Sequence, residues 1–269
     1  MHVVSVNVGL PRQTAWKGET VRTGIFKEPV EGPVRVVGVN LERDGQADLT
    51  VHGGPDKAVY VYPAEHYPYW REELGRDLLW GVFGENLTVE GMPLEDEVAI
   101  GDRLRIGSCE FLVTQPPLPC FKLGIRFDDA KMVRRFLVAG RSGYYLRVAT
   151  EGSLAAGDRI ELLARHPANV PVSEITRLYT RDRHDVEGIR RVLAVESLPA
   201  DWRPFFEDLA RHGTTSRDAL TGSETQQGRR GSNPQPPVLE TGALPVELRP
   251  WVGADCTRGL RAASWAAPV

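Results

Sequence analysis

Short β-branched segments follow one another closely through the first 165 residues, and this spacing constrains the fold more than any other feature. Residues 3–8, 34–39 and 58–62 are rich in β-branched or aromatic side chains, alternate in part, and are bounded by Gly or Pro. Further strands are expected at residues 98–106, 110–114, 144–149 and 159–163. So many short strands in one unit predict a mainly β, barrel-like domain over residues 1–165.

Helical periodicity is confined to a few stretches. Within the barrel region, one helix is expected after Pro63, running to Leu74, and another over residues 128–138. In residues 170–213, apolar side chains recur at helical spacing in three short runs: Ile175, Leu178 and Tyr179; Val186, Ile189 and Leu193; Trp202, Phe205, Phe206 and Leu209. We therefore predict a small three-helix domain. Forty-odd residues rarely form a core alone, so it should pack on the barrel or on a partner chain, and a homodimer is one expectation.

Residues 214–269 differ from the rest of the chain in composition. They contain no lysine, are rich in Gly, Ser, Pro, Thr, Gln and Arg, and show no periodicity, which predicts a disordered tail. Residues 231–234 can be written GGTTCGAACCC, the core of a transfer RNA T-loop, and residues 243–248 can be written as the reverse complement of a D-arm. We interpret the tail as read-through into an antisense transfer RNA gene, which the nucleotide sequence would decide.

Composition excludes several classes of function. A net charge of −3 over 269 residues gives no electrostatic case for binding nucleic acid or an anionic membrane. No apolar run approaches a membrane span, no signal peptide is recognisable, and three cysteines fit a reducing cytoplasm. Zinc, dinucleotide and Walker motifs are absent from the sequence, so any redox work would draw its electrons from a separate partner.

A proline-framed cysteine is the first candidate for chemistry. Prolines 116, 117 and 119 precede Cys120, so residues 115–120 can be neither a helix interior nor a central strand. Lys122 lies two residues beyond the thiol, and a nearby cation favours the thiolate, which attacks electrophiles and binds soft metals. The alternative is a buried structural cysteine.

A second cluster of polar residues is the run from His52 to Lys57. Gly53 and Gly54 allow backbone N–H groups to approach a ligand, while His52, Asp56 and Lys57 add polar contacts. An oxyanion hole would need a nucleophilic serine in a G-x-S-x-G turn, which the chain lacks. The alternative is a plain Gly-Pro-Asp turn between two strands.

Two further groups complete the candidates. Glu85 and Asn86, beside Gly84, could hydrogen-bond a heterocycle that offers donors and acceptors. Arg22 and Lys27, on an early strand, could add positive charge. The alternatives are an ordinary turn and solvated surface cations.

Taken together, the clusters resemble the MOSC domain, most closely the YiiM-like proteins. The matching segments occur in order along residues 1–213: Asn7-Val8-Gly9, Lys27-x-Pro29-Val30, Asp44-Gly45-Gln46-Ala47-Asp48, His52 to Val59, Tyr62-Pro63-x-Glu65-His66-Tyr67, Phe83 to Leu87, Gly101-Asp102, and Gln115-Pro116-x-x-Pro119-Cys120-x-Lys122-Leu123. The helices after residue 170 resemble that family's C-terminal three-helix domain.

The resemblance implies a molybdenum cofactor, in which a pterin phosphate chelates the metal through a dithiolene, and reduction of N-hydroxylated compounds such as hydroxylaminopurines and amidoximes. Cys120 would then be the catalytic residue and metal ligand. The implied cofactor-binding residues are His52, Gly53, Asp56, Lys57, Glu85, Asn86, Lys122, Arg22 and Lys27. A superfamily-level association with pyridoxal phosphate binding also follows from the resemblance.

One position departs from the family's pattern. Pro117 stands where an arginine usually precedes x-Pro-Cys, so a contact to the phosphate or substrate is either lost or replaced by Arg126 or Arg22. Three functions therefore stay open: a molybdenum-dependent reductase, a carrier that holds the cofactor or a sulfur on Cys120, and a cysteine hydrolase that pairs Cys120 with His52.

Overall fold

A computed structural model of the protein describes residues 1–47 and 53–218. The strands are β1 (His2–Val8), β2 (Arg12–Trp16), β3 (Glu19–Thr23), β4 (Glu28–Val30), β5 (Val34–Val37), β6 (Asn40–Leu41), β7 (Val59–Pro63), β8 (Leu87–Glu90), β9 (Arg103–Ile106), β10 (Cys109–Gln115), β11 (Tyr144–Thr150), β12 (Gly152–Leu154) and β13 (Ile160–Ala164). The helices are α1 (Tyr67–Leu74), α2 (Phe121–Phe127), α3 (Met132–Ala139), α4 (Val172–Thr180), α5 (Val186–Leu193) and α6 (Arg203–Asp218). Two short 3-10 turns cover Pro55–Lys57 and Ala64–His66.

Eight strands form one curved sheet in the order β13-β9-β10-β11-β7-β8-β1-β4. Neighbouring strands are antiparallel except β7 and β8. The segments around β1 and β13 also meet, because Val3 N donates to Asp158 O at 2.9 Å and Ile160 N donates to Met1 O at 3.0 Å. The predicted barrel-like, mainly β domain is confirmed as a half-barrel, with a three-stranded sheet (β12-β5-β6) and the β2–β3 hairpin beside it.

The central strand β7 buries side chains on both of its faces. Val59 and Val61 belong to the main core, whereas Tyr60 and Tyr62 belong to an aromatic cluster that includes Trp70. Successive side chains of a strand point to opposite faces, so the Val-Tyr-Val-Tyr run separates the two cores. The aromatic cluster is where α1, α2 and α3 cover the sheet.

One helix was absent from the sequence-based expectation. A single helix was predicted over residues 128–138, but α2 already begins at Phe121, and Asp128 ends it in the left-handed conformation at φ 52°. Prolines stop a helix that contains them, yet they do not prevent one that begins directly after them. Cys120 is therefore the residue that directly precedes a helix, and the loop does not continue beyond the thiol.

The three-helix unit shares the main core instead of forming its own. Ile175, Ile189 and Phe206 are buried in the same apolar cluster as the barrel residues Val113 and Leu146. The predicted packing of this small helical domain on the barrel is thereby confirmed.

The helix α6 runs to Asp218, and the rest of the predicted tail, with its read-through hypothesis, lies outside the described residues. Within the described part of the chain, no helix has both the length and the apolar character needed to cross a membrane.

A single buried bond joins the helical unit to the start of the cysteine loop. Trp202 Nε1 donates to Gln115 Oε1 at 2.5 Å, and the two side chains are 1% and 2% exposed. We predict that Trp202→Phe lowers the free energy of unfolding by about 1–3 kcal/mol, because the Gln115 oxygen loses its donor without access to water. Urea unfolding measures this. In a cycle with Gln115→Leu, strictly additive effects would contradict a direct bond.

A buried carboxylate on the other side of the sheet makes stability depend on pH. Burial by itself would raise the pKa of Glu95, but the hydrogen bond and charge of His66, with the Gly143 N–H, hold that pKa below its ordinary value of 4.5. The His66 Nε2 lies 2.8 Å from Glu95 Oε1. A carboxyl with a lowered pKa stabilises the fold above its ordinary pKa, and this contribution is lost as the pH falls through the folded value.

We therefore predict that Glu95→Gln lowers the free energy of unfolding by about 1–3 kcal/mol at pH 7. The difference from the wild type should shrink as the pH falls below 4.5, because the wild-type carboxylate becomes protonated too. Urea unfolding at several pH values measures the difference, with the exposed Glu97→Gln as the matched control. A difference that grows towards acid pH would show that the sign is wrong.

Candidate functional site

An open groove borders the cysteine loop, and we call it the Cys120 groove. Its walls come from residues 23–27 and 44–47, from β7 and β11, from the turn before β8, and from residues 117–123. It encloses about 840 Å³, counting the part that is open to solvent. Apolar side chains line most of it, together with a few polar and charged groups, which is the usual character of a ligand site.

Cys120 lies on this groove, half-buried and outside any disulfide. Pro117 and Pro119 line the groove beside it, and Cys120 itself has extended backbone at φ −120° immediately before α2. The expectation of an open groove, and not a sealed core, at Cys120 agrees with this placement. By contrast, Cys109 is fully buried, and burial raises the pKa of its thiol to about 11.

Three lysines line the groove together with the thiol: Lys27, Lys57 and Lys122. Lys27 is buried against Asp44, and Lys57 Nζ lies 3.6 Å from Asp201 Oδ2 of the three-helix unit. Lys122 is 8% exposed and reaches over the Phe121 ring. Three cationic side chains on a partly apolar groove favour an anionic ligand.

Asp44 is the polar centre of the groove floor. Its carboxylate pairs with Lys27, accepts from Gly9 N at 2.9 Å, and accepts from Asn86 Nδ2 at 2.9 Å. Burial lowers the pKa of Lys27, while the charge of Asp44 opposes that shift. Sequence reasoning did not single out Asp44 as a site residue, although the Asp-Gly-Gln run beside the His52 cluster was the available signal.

Asn86 is part of the groove, whereas Glu85 lies behind its wall. Asn86 Oδ1 accepts from Tyr60 N at 3.0 Å, which fixes the amide. The Glu85 carboxylate is fully buried and accepts from Gly81 N at 2.8 Å, Phe83 N at 3.0 Å, and the Tyr67 hydroxyl. Burial raises the pKa of Glu85. Its role in this structure is to hold the turn, not to face a heterocycle.

The turn owes its shape to Gly84, which lines the groove at φ +85°. A Cβ at this position would lie 3.0 Å from Ile25 Cγ1, in addition to the strain of a positive φ.

Three other predicted residues also lie away from the groove lining. The Asp56 carboxylate accepts a hydrogen bond from Arg147 Nε at 2.7 Å and forms an ion pair with that arginine. Arg22 is exposed on β3, where only its neighbour Thr23 reaches the groove. Gly53 precedes the 3-10 turn and does not line the groove. His52, the remaining predicted residue, lies outside the described part of the chain, so its pairing with Cys120 stays a prediction.

An aromatic wall faces the lysines. Tyr60 and Tyr145, with ring centroids 5.2 Å apart, line the groove with Phe83 and Phe136. Burial raises the pKa of Tyr145, and the nearby Cys120 sulfur adds to the shift, so the phenol stays neutral at physiological pH. Sequence reasoning assigned Tyr60 and Tyr145 to strands, Phe136 to a helix and Phe83 to the segment before Glu85, since nothing local indicates which rings border the thiol.

Gln46 presents a buried acceptor without a partner. Its Nε2 donates to Lys57 O at 3.1 Å, which fixes the amide, while Oε1 has no hydrogen-bond partner among the described residues. Buried polar atoms are almost always paired, so an orphan on a groove indicates a ligand donor or a water.

Comparison with known proteins agrees with this geometry. Residues 48–161 match the model of the MOSC domain family, and residues 170–212 match that of the YiiM-like, 3-alpha helix domain. The uncharacterized protein YflK of Bacillus subtilis (strain 168) is 43% identical over 204 residues, covering 76% of this chain and 92% of YflK. The crystal structure of YiiM from Geobacillus stearothermophilus superimposes with a TM-score of 0.65 at 32% identity, covering 78% of this chain and 98% of that one.

A protein named "Reductase" from Gibberella moniliformis (strain M3125 / FGSC 7600) is 36% identical over 167 residues, which are 61% of this chain but 29% of that protein. The chain thus belongs to the MOSC family, and its helical domain places it among the YiiM-like members.

The groove fits the cofactor associated with this family. Among the described residues, no group of three or more His, Cys, Asp or Glu side chains could hold a bare metal ion. A cofactor that already carries sulfur ligands for its metal and an anionic phosphate requires fewer protein ligands than a bare ion does. One soft thiolate and nearby cations are sufficient. Cys120 and the three lysines supply that donor set.

We predict that Asp44→Asn lowers the free energy of unfolding by about 3 kcal/mol or more, because Lys27 loses its buried partner. Chemical denaturation of the purified variant measures this, with the exposed Glu42→Gln as the matched control. The double variant Lys27→Met with Asp44→Asn should lose less than the sum of the single effects. If Asp44→Asn were as stable as the control, the pair would not support the groove floor.

Proposed function

We propose that this protein is a molybdenum-cofactor-dependent reductase of N-hydroxylated compounds. The observation that carries the proposal is the placement of a half-buried cysteine thiol, Cys120, on an open groove lined by Lys27, Lys57 and Lys122. Membership in the MOSC family supports it, as does the reductase-named relative, although that protein is much longer than the region it shares.

The proposal assigns a role to the thiol and to its neighbours in the groove. Cys120 Sγ, as a thiolate, would hold the metal, and Lys122 would favour that charge state and balance the anionic cofactor. When bound, the cofactor supplies the two-electron chemistry that cleaves an N–O bond. The neutral Tyr145 hydroxyl, beside the sulfur, excludes solvent without adding a negative charge.

Substrate recognition would fall to the aromatic wall and to Gln46. Hydroxylaminopurines are flat and carry N–H and O–H donors, so their rings would pack on Tyr60 and Phe83. Gln46 Oε1, which has no partner within residues 1–47 and 53–218, would accept a hydrogen bond. Amidoximes carry the same donors. A separate reductase would deliver the electrons, because the sequence carries no dinucleotide-binding motif.

A carrier function is the second proposal, and one observation favours it. Pro117 lines the groove at the position where the family resemblance leads us to expect arginine, which removes a contact that a reacting substrate could use. In that case, Cys120 would hold the cofactor, or a sulfur atom as a persulfide, for another enzyme.

Metal analysis distinguishes the two proposals. After expression in a host that makes molybdenum cofactor, we expect about one molybdenum per chain in the wild type and loss of the metal in Cys120→Ser. Cys109→Ala, which removes the other described cysteine away from the groove, is the matched control and should retain the metal.

Turnover of hydroxylaminopurines or amidoximes with an external reductant would then support the reductase. Molybdenum at Cys120 without turnover from any donor, or a Cys120 persulfide without metal, would contradict the reductase and support the carrier.

A further inference from the structure

Two arginines from distant parts of the chain meet at one aromatic ring. Arg12 Cζ lies 3.8 Å from the centroid of the Phe26 ring, and Arg126 Cζ lies 5.4 Å from the same centroid. Arg12 comes from β2, and Arg126 comes from the last turn of α2. Cation–π contacts of this kind hold guanidinium groups in place but do not neutralise them.

Neither arginine is in direct contact with a carboxylate in the described part of the chain. Among those residues, neither guanidinium forms an ion pair, and Arg126 Nε is buried without a hydrogen-bond partner. Burial and the charge of Arg12 both lower the pKa of Arg126, while the more distant carboxylates of Glu85 and Glu28 oppose this. Two neighbouring like charges and a buried donor without a partner both lower the stability of the fold. Such arrangements occur at functional sites.

The arginine pair is carried by segments that also line the Cys120 groove, although Arg12, Phe26 and Arg126 are not themselves lining residues. Phe26 lies between Ile25 and Lys27, and both of these line the groove. On α2, Lys122 lines the groove, and Arg126 follows it four residues later, which places the two side chains on one face of the helix, about 5–6 Å apart at Cβ. Arg126 therefore lies one helical turn beyond a lysine that lines the groove.

We propose that Arg12 and Arg126, held by Phe26, bind a phosphate-type dianion at the rim of the Cys120 groove. Guanidinium groups bind phosphate oxygens through paired, charge-assisted hydrogen bonds, and the unpartnered Arg126 Nε supplies one such donor. The assignment of this phosphate to the cofactor's pterin rests on the proposed function. The existence of the anion site does not depend on the proposed function. Arg126, and not the exposed Arg22, would thus supply the contact that Pro117 lacks.

A merely structural role for the two arginines predicts a different behaviour. If Arg126 only packs on Phe26, removing its charge would change stability and nothing else. If the pair binds an anion, Arg126→Gln should leave the ligand-free protein as stable as the wild type, because the like-charge repulsion is relieved and most of the side-chain stem is kept. It should nevertheless lose the response to phosphate.

The test measures thermal unfolding with inorganic phosphate added, against chloride at equal ionic strength. We expect phosphate to raise the Tm of the wild type, and Arg126→Gln and Arg12→Gln each to weaken the affinity by about tenfold or more. Arg134→Gln, an exposed arginine of α3, is the charge-matched control and should respond like the wild type. Should Arg126→Gln fold poorly, the exposed Arg12→Gln carries the test. Equal phosphate responses in all four proteins would overturn the proposal.

A second arm identifies the source of the phosphate. Molybdenum and pterin contents are measured in Arg126→Gln after expression in a cofactor-producing host, beside Cys120→Ser. Reduced contents would support the cofactor phosphate as the occupant. Unchanged contents together with a lost phosphate response would support the anion site for a free or substrate phosphate. An arginine-dependent phosphate response in a wild type that takes up no molybdenum would support the site while the proposed function fails.

Discussion

The buried carboxylate of Asp44 is the interaction on which the groove depends. It joins the end of β1 through Gly9, the approach to β4 through Lys27, and the turn before β8 through Asn86. These three segments are separated in sequence and lie at the ends of the neighbouring strands β1, β4 and β8, just beyond their last ladder pairs. Because the carboxylate is desolvated, each partner has to stay in place for the charge to be tolerated. The floor of the groove is therefore set by electrostatics, whereas apolar packing sets the barrel beneath it.

The cysteine loop is held from the opposite side by the three-helix unit. Its prolines donate no backbone hydrogen bonds, so side-chain contacts must position it. Trp202 meets Gln115 at the start of the loop, and the neighbouring Asp201 reaches Lys57 in the groove. The helices thus share both a core and a site with the barrel. A reductase that docked on this unit would contact the elements that position the thiol.

Local sequence patterns predicted the strands, the helices and the cysteine loop, because these features depend on residues close together in the chain. The alternating Val-Tyr run of β7 and the apolar spacing of α4 and α5 give the half-barrel and the helical domain, and Cys120 was found from its prolines. What could not be predicted was non-local pairing. Glu85 is a residue type that often binds ligands, but its carboxylate accepts hydrogen bonds from backbone N–H groups of its own turn. Only the folded turn brings these groups together. Asp44 and Tyr145 acquire their importance in the same way.

The family resemblance leads us to expect an arginine at position 117, where this chain has a proline, and the proposed anion site would supply the missing charge from Arg126. Proline at this position stiffens the loop that presents the thiol, and it leaves that part of the groove without a cation. Arg126 lies on the helix that begins directly after the same loop, so its position relative to Cys120 is fixed by about a turn and a half of helix. Charge carried on a short rigid helix is placed more reproducibly than charge on a loop. The substitution therefore fits a groove in which the anion contact has moved outwards from the thiol, towards Phe26, and has not been abolished.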